Sequence, residues 1–144
     1  MVIASSVRVV GGREGGARVV GVDEVAPYDL YAVTKCLAED MGRMYARRYR
    51  LSVIAARLGW LVRNAREQAR FASMTAEAQQ TDLLSQGDAG RFFVRAVEAE
   101  GVSFAVLYAV SRRTFVPGFD LEPARRIIGY EPQDIAPQGI HFEA

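Results

Sequence analysis

The sequence predicts an α/β domain in which a parallel sheet is covered by helices. Three observations carry that reading. Short apolar runs with the look of buried strands recur near residues 2–5, 51–57 and 104–110. Segments of helical spacing lie between and after them, the clearest running from Pro27 to Arg50. Strands that alternate with helices imply parallel pairing, with the helices packed on the sheet faces. Half of the 144 residues are hydrophobic, which is ample for one core.

In chain order, Met1 to Ala4 read as a short buried strand that runs into Ser5 and Ser6. Residues 11–21 hold five glycines, but their spacing is wrong for G-x-G-x-x-G and no helix follows, so a surface loop or loose hairpin is expected. In the segment from Pro27 to Arg50, Leu30, Val33, Leu37, Met41, Met44 and Tyr45 recur at three and four, which predicts one apolar, core-facing stripe. Asp29 is placed to cap its start. Cys36 reads as buried filler, and Met41 and Met44 as core. Leu51 to Arg57 is the second strand, ended by Gly59. Trp60 to Asn64 reads as a loop, and Glu67 to Gln80 as a helix with a weak face. Asp88 is expected to cap a helix over Ala89–Glu100, with Phe92, Phe93, Ala96 and Val97 as its apolar stripe and Gly101 as its stop. Phe104 to Val110 is the third strand. A loop over Ser111–Phe119 follows, then a short helix opened by Glu122-Pro123, capped by Asp120 and closed at Gly129. The tail from Tyr130 is expected to lie extended.

Tyr31 and Lys35 read either as a helical pair on a solvated face or as the chemical centre of the chain. Four residues apart on a helix, they share one face, one turn apart. Lys35 is the only lysine, and the other 17 cationic residues are arginine. Arginine serves for a surface cation. A lysine is needed where a compact ammonium must sit beside a phenol or reach hydroxyl groups. Ser6, at the end of the first strand, precedes Tyr31 by 25 residues.

Ser6, Pro27 and the Tyr31-Ala-Val-Thr-Lys35 run resemble the extended short-chain dehydrogenase/reductase family, in its NAD-dependent epimerase/dehydratase branch. Later landmarks resemble it too: Arg57-Leu-Gly59 after a strand, Asp88 at a helix start, Phe119-Asp120 before a helix, and Ile128-Gly-Tyr-Glu-Pro132. The likeness covers most of the chain but only the family's second half, and its nearest look is to uronate dehydrogenases. It implies a partial Rossmann-like parallel sheet with flanking helices, lacking the N-terminal βαβ half that carries the dinucleotide fingerprint. Residues 1–144 would then be one C-terminal part of an NAD(P)-binding epimerase/dehydratase domain.

The resemblance also implies roles. Tyr31, Lys35 and Ser6 would be catalytic. A phenol with an ordinary pKa near ~10 is a poor base at neutral pH, and an ammonium one turn away favours its ionised form. Tyr31 and Lys35 would also touch the cofactor, NAD or NADP, with Lys35 on its ribose hydroxyls and the backbone at Leu58 and Gly59 facing the nicotinamide. Ser6 would orient the substrate oxygen. Arg70 reads either as a fork for a substrate carboxylate or as a surface arginine. The substrate would be a sugar, nucleotide sugar or sugar acid. With the fingerprint absent, the isolated chain is expected to be inactive. A non-catalytic remnant that binds a partner, and a piece completed by another chain, are the alternatives.

Composition narrows the partners. A formal charge of +1 gives no basic footprint for nucleic acid. No apolar run approaches the length of a membrane span. A lone cysteine excludes an internal disulfide and suits the reducing cytoplasm. No metal site is expected, because the one histidine, His141, has no evident partners. A homo-oligomer, or association with the missing half, is expected from unburied apolar surface.

Overall fold

In the computed structural model, which describes residues 1–13, 19–75, 82–114 and 118–135, three strands form one parallel sheet in the order β1-β2-β3. They are β1 (Val2–Ser6), β2 (Val53–Leu58) and β3 (Phe104–Ala109). Ser6 lies opposite Leu58, and Leu58 opposite Ala109, so the three carboxyl ends finish level. The segments that leave those ends share one edge of the molecule. Open α/β sheets bind their ligands at this edge.

The sheet is covered on both faces, because its side chains alternate with period two. Ile54, Ala56, Leu107 and Ala109 point into one core with Phe92, Ala124 and Tyr130. The intervening residues Val53, Ala55 and Arg57 are buried too. The α/β class and the three strands expected from the sequence are all present.

Helix α1 (Leu30–Tyr49) crosses from β1 to β2. The Asp29 side chain caps it, accepting the Ala32 N–H at 2.7 Å. The expected apolar stripe is not the face that packs. Leu30, Leu37 and Met41 are 78%, 57% and 56% exposed, and Val33, Met44 and Tyr45 are exposed with them. Ala32, Glu39, Gly42 and Ala46 are buried instead. Gly42 gives the reason. A Cβ at that position would stand 2.6 Å from Ile3 Cδ1 and 3.2 Å from Val53 Cγ1. The helix approaches the sheet so closely that small side chains face inward and large ones point out. Met41 and Met44 are therefore not core.

Three further helices are described: α2 (Ala65–Ala72), α3 (Gln86–Glu98) and α4 (Glu122–Ile128). The helix expected over Glu67–Gln80 is α2, which starts earlier and ends at Ala72 with Ser73 as its C-cap, and residues 76–81 lie outside the described residues. The N-cap of α3 is Ser85, whose hydroxyl accepts the Asp88 N–H at 2.9 Å. Asp88 is instead buried in the first turn. Its carboxylate accepts from the Ser111 hydroxyl, from Arg91 and from the Gln133 and Asp134 N–H groups. On α3, Phe92 and Ala96 are buried, while Phe93 and Val97 are exposed. Asp120 accepts the Glu122 N–H ahead of α4. Of the tail, expected to lie extended, residues 130–135 are described and are pinned: Tyr130 packs its ring 5.1 Å from Phe92 and donates to the Val110 carbonyl, and Ile135 bridges to Arg112. No described helix is long and apolar enough to cross a membrane.

Candidate active site at the carboxyl ends of the strands

Ser6 closes β1, and a 3-10 turn over Val7–Val10 follows directly. The Ser6 hydroxyl accepts the Arg8 N–H at 3.2 Å. That bond fixes where Arg8 leaves the backbone. The Arg8 guanidinium reaches across to the start of α1. It ion-pairs with Asp29, and lies 5.0 Å from the Tyr28 ring centroid and 5.9 Å from that of Tyr31. The Ala32 N–H holds the Asp29 carboxyl below its usual range, opposed by desolvation and helped by Arg8. The link from Ser6 to Tyr31 thus runs through Arg8.

Lys35 stands one turn along α1 from Tyr31. Its ammonium is 5.4 Å from the Tyr31 ring centroid and donates to the Ala4 carbonyl at 2.9 Å. Tyr31 is 49% exposed, so its phenol is open to a ligand. Tyr31 and Lys35 thus sit at the start of α1, beside the Arg8 that Ser6 holds after β1. Two cations, Lys35 and Arg8, stand beside one tyrosine ring.

One turn further, Glu39 is buried under the same stretch of α1. It grips Arg57 of β2 through two bonds of 2.9 Å, from Nε and Nη2, and also accepts from the Ser5 hydroxyl. Arg57 donates further to Tyr108 of β3 and to the Glu24 carbonyl. Burial opposes the Arg57 charge, but the bonds from Glu39 outweigh it and hold the guanidinium above its ordinary range. Burial raises the Tyr108 phenol. This network ties α1 to all three strands beneath the Tyr31–Lys35 turn. The sequence carried a sign of it, since Tyr31, Lys35 and Glu39 repeat at four and share a face.

At the end of β2, Leu58 is half-buried against the core and Gly59 packs on the backbone of Asp82. A Cβ at Gly59 would meet the Asp82 carbonyl oxygen at only 2.3 Å. Gly59 is needed for that approach, which lets the Trp60 N–H donate to Asp82. Gly59→Ala is expected to lower stability by about 1–3 kcal/mol through overpacking. Urea unfolding checks this, and an unchanged midpoint would refute it. Beyond Gly59, Trp60 packs edge-on against Phe71 at 5.6 Å, and Arg70 of α2 lies 5.9 Å from the Trp60 ring. Arg70 is exposed, with its guanidinium beside this tryptophan. Arg63, in the same loop, pairs with Glu67. Sequence reading missed Arg8, because it meets Tyr31 only once the loop after β1 is folded against α1.

Half-buried Lys35 reaches the Ala4 carbonyl of β1, and the Leu58–Gly59 backbone lies at the carboxyl end of β2. Gly11 and Gly12, the described glycines directly after β1, do not cater for a pyrophosphate. The Gly11 and Gly12 N–H groups already donate to the Arg8 and Ala26 carbonyls, and Tyr28 fills the space beside both. Among the described residues, no group of three or more His, Cys, Asp or Glu side chains is arranged to hold a metal ion. His141 lies outside the described residues.

No family model matches the chain. Two curated relatives from Haloferax volcanii do. An NAD-dependent glucose-6-phosphate dehydrogenase is 29% identical over 81% of this chain and 42% of its own length. An L-arabinose 1-dehydrogenase (NAD(P)(+)) is 32% identical over 82% of this chain and 48% of its own. The chain thus spans about half the length of the curated relatives it matches. Among solved structures, a mutated uronate dehydrogenase superposes with a TM-score of 0.75 at 23% identity, over 99% of this chain and 50% of its own. A UDP-galactose 4-epimerase superposes with a TM-score of 0.68 at 16% identity, over 94% of this chain and 58% of its own. Neighbours of this kind have been solved with NAD, one of them together with UDP-glucuronic acid. At these identities the superpositions establish the fold. The relatives and structural neighbours of this chain are NAD-dependent dehydrogenases and epimerases of the uronate dehydrogenase and NAD-dependent epimerase/dehydratase type, and it matches about half of each.

Proposed function

We propose that residues 1–144 are the catalytic, C-terminal part of an NAD(P)-dependent oxidoreductase or epimerase acting on a sugar, nucleotide sugar or sugar acid. The observation that carries this reading is the pair on α1: an accessible tyrosine with the chain's only lysine 5.4 Å from its ring, at the carboxyl ends of parallel strands. In this scheme Tyr31 takes the proton from the reacting hydroxyl, or returns it. Lys35 favours the charge that Tyr31 then carries. Ser6 donates to the same substrate oxygen and orients it. Arg70, beside Trp60, is the proposed fork for a substrate carboxylate. Lys35 and the Leu58–Gly59 backbone would hold the nicotinamide–ribose end, and the nicotinamide would supply the hydride acceptor. The pyrophosphate grip would come from a further βαβ half, and the 144-residue chain alone is expected to reduce no NAD. The test is the NADH absorbance on mixing the protein, NAD and a panel of aldoses and uronic acids, with and without the complementing half. No turnover in the completed domain would overturn the reading. A cytoplasmic setting, with Cys36 a free thiol, completes it.

A second observation bears on partners. Leu30, Leu37 and Met41 expose a continuous apolar face on α1. Such faces mark association surfaces. We read it as the contact for a second copy of the chain, with the free edge of β1 left to the complementing half. Leu37→Glu with Met41→Glu should then convert an oligomer to a monomer in sedimentation. A parent protein that is already a compact monomer would contradict this.

A further inference from the structure

We propose that Arg8 is a specificity-determining residue that holds an anionic group of the reactant, a carboxylate or a phosphate, beside Tyr31. This rests on the oxidoreductase reading of the same site. Four observations support it. The Arg8 backbone is fixed to the Ser6 hydroxyl, so its side chain starts two residues from the group proposed to orient the substrate oxygen. Its guanidinium lies 5.9 Å from the Tyr31 ring centroid. Asp29 engages Nη2 and steadies the side chain, which is still 48% exposed. Finally, Arg8 belongs to a cationic mouth. Burial raises the Asp82 carboxyl, and the charges of Arg113, Arg13 and Arg8, from the segments after β3 and β1, oppose that rise, with Arg113 3.5 Å from Asp82; Arg63, after β2, pairs with Glu67. With Lys35 these cations outnumber Asp29, Asp82 and Glu67, the acids they meet there. A planar guanidinium matches a carboxylate or phosphate in two-point contact.

The competing role for Arg8 is a tether that only holds the start of α1 in place. Kinetics separate the two. The full-length protein, Arg8→Gln and Arg8→Lys are compared on a hexuronate, a hexose 6-phosphate and the neutral hexose, each with NAD. If Arg8 holds the anion, Arg8→Gln raises KM for one of the two acids by about tenfold to a hundredfold, the usual worth of a hydrogen bond to a charged group. KM for the hexose and for NAD stays the same, and Arg8→Lys recovers part of the loss. The acid that responds identifies the anion. Equal losses on all three sugars would make Arg8 a tether and overturn the proposal. A rise confined to KM for NAD would assign Arg8 to the cofactor phosphates, and would overturn it too. If the parent protein turns over none of the sugars, the oxidoreductase reading fails by itself. NMR line broadening of the hexuronate and the hexose 6-phosphate by the protein then decides. Broadening of either that weakens in Arg8→Gln upholds the anion site, and broadening unchanged or absent in both proteins refutes it.

Discussion

Tyr31→Phe is expected to cut turnover of the completed domain by about 10²–10⁴-fold, the range that proton transfer by a positioned side chain supplies. The change removes one hydroxyl from a half-exposed ring, so the fold and the Arg8 and Lys35 contacts with the ring face should persist. Far-ultraviolet circular dichroism and the unfolding midpoint should match the parent. Lys35→Arg should impair turnover as well, since the bulkier fork cannot take the place of a compact ammonium that reaches the Ala4 carbonyl at 2.9 Å. Full turnover by Tyr31→Phe, where chemistry limits the rate, would remove Tyr31 from the mechanism.

Arg57→Met should be the most destabilising single change in the described network. Arg57 and Glu39 have side chains only 1% and 5% exposed, and they bond through both oxygens of the carboxylate. Removing the arginine leaves a buried charge answered only by the Ser5 hydroxyl, at a cost of about 3–5 kcal/mol. Pairing it with Glu39→Met should restore most of the loss, because two apolar side chains then replace a matched ion pair. Denaturant unfolding of the two variants checks both statements. A loss under about 1 kcal/mol in the single variant would show that water enters the site and solvates Glu39.

The network also explains what sequence reading could and could not reach. The strands were legible because Val2–Ser6, Val53–Leu58 and Phe104–Ala109 are apolar runs between polar breaks. Tyr31, Lys35 and Ser6 were singled out by residue type and spacing together with the family resemblance. The inner face of α1 was not. A search for the bulkiest apolar stripe selects Leu30, Leu37 and Met41, yet the close helix–sheet contact admits only Ala32, Gly42 and Ala46, beside one buried carboxylate. That carboxylate makes sense only with Arg57, 18 residues away and on another element. Asp88 misled for a similar reason. It stands one turn from a helix start, but Ser85 already supplies the cap, and the Asp88 carboxylate is spent on Ser111 and the tail.

The central claim is that Ser6 and Tyr31 serve one reacting oxygen, with Lys35 behind. A crystal structure of the completed domain with NAD and a hexuronate measures this directly. The account predicts the Ser6 and Tyr31 hydroxyls both within about 2.6–3.2 Å of the same substrate oxygen, with the Lys35 ammonium on the ribose hydroxyls. Hydroxyls that open on opposite sides of the sheet, or a sugar bound away from Tyr31, would contradict it.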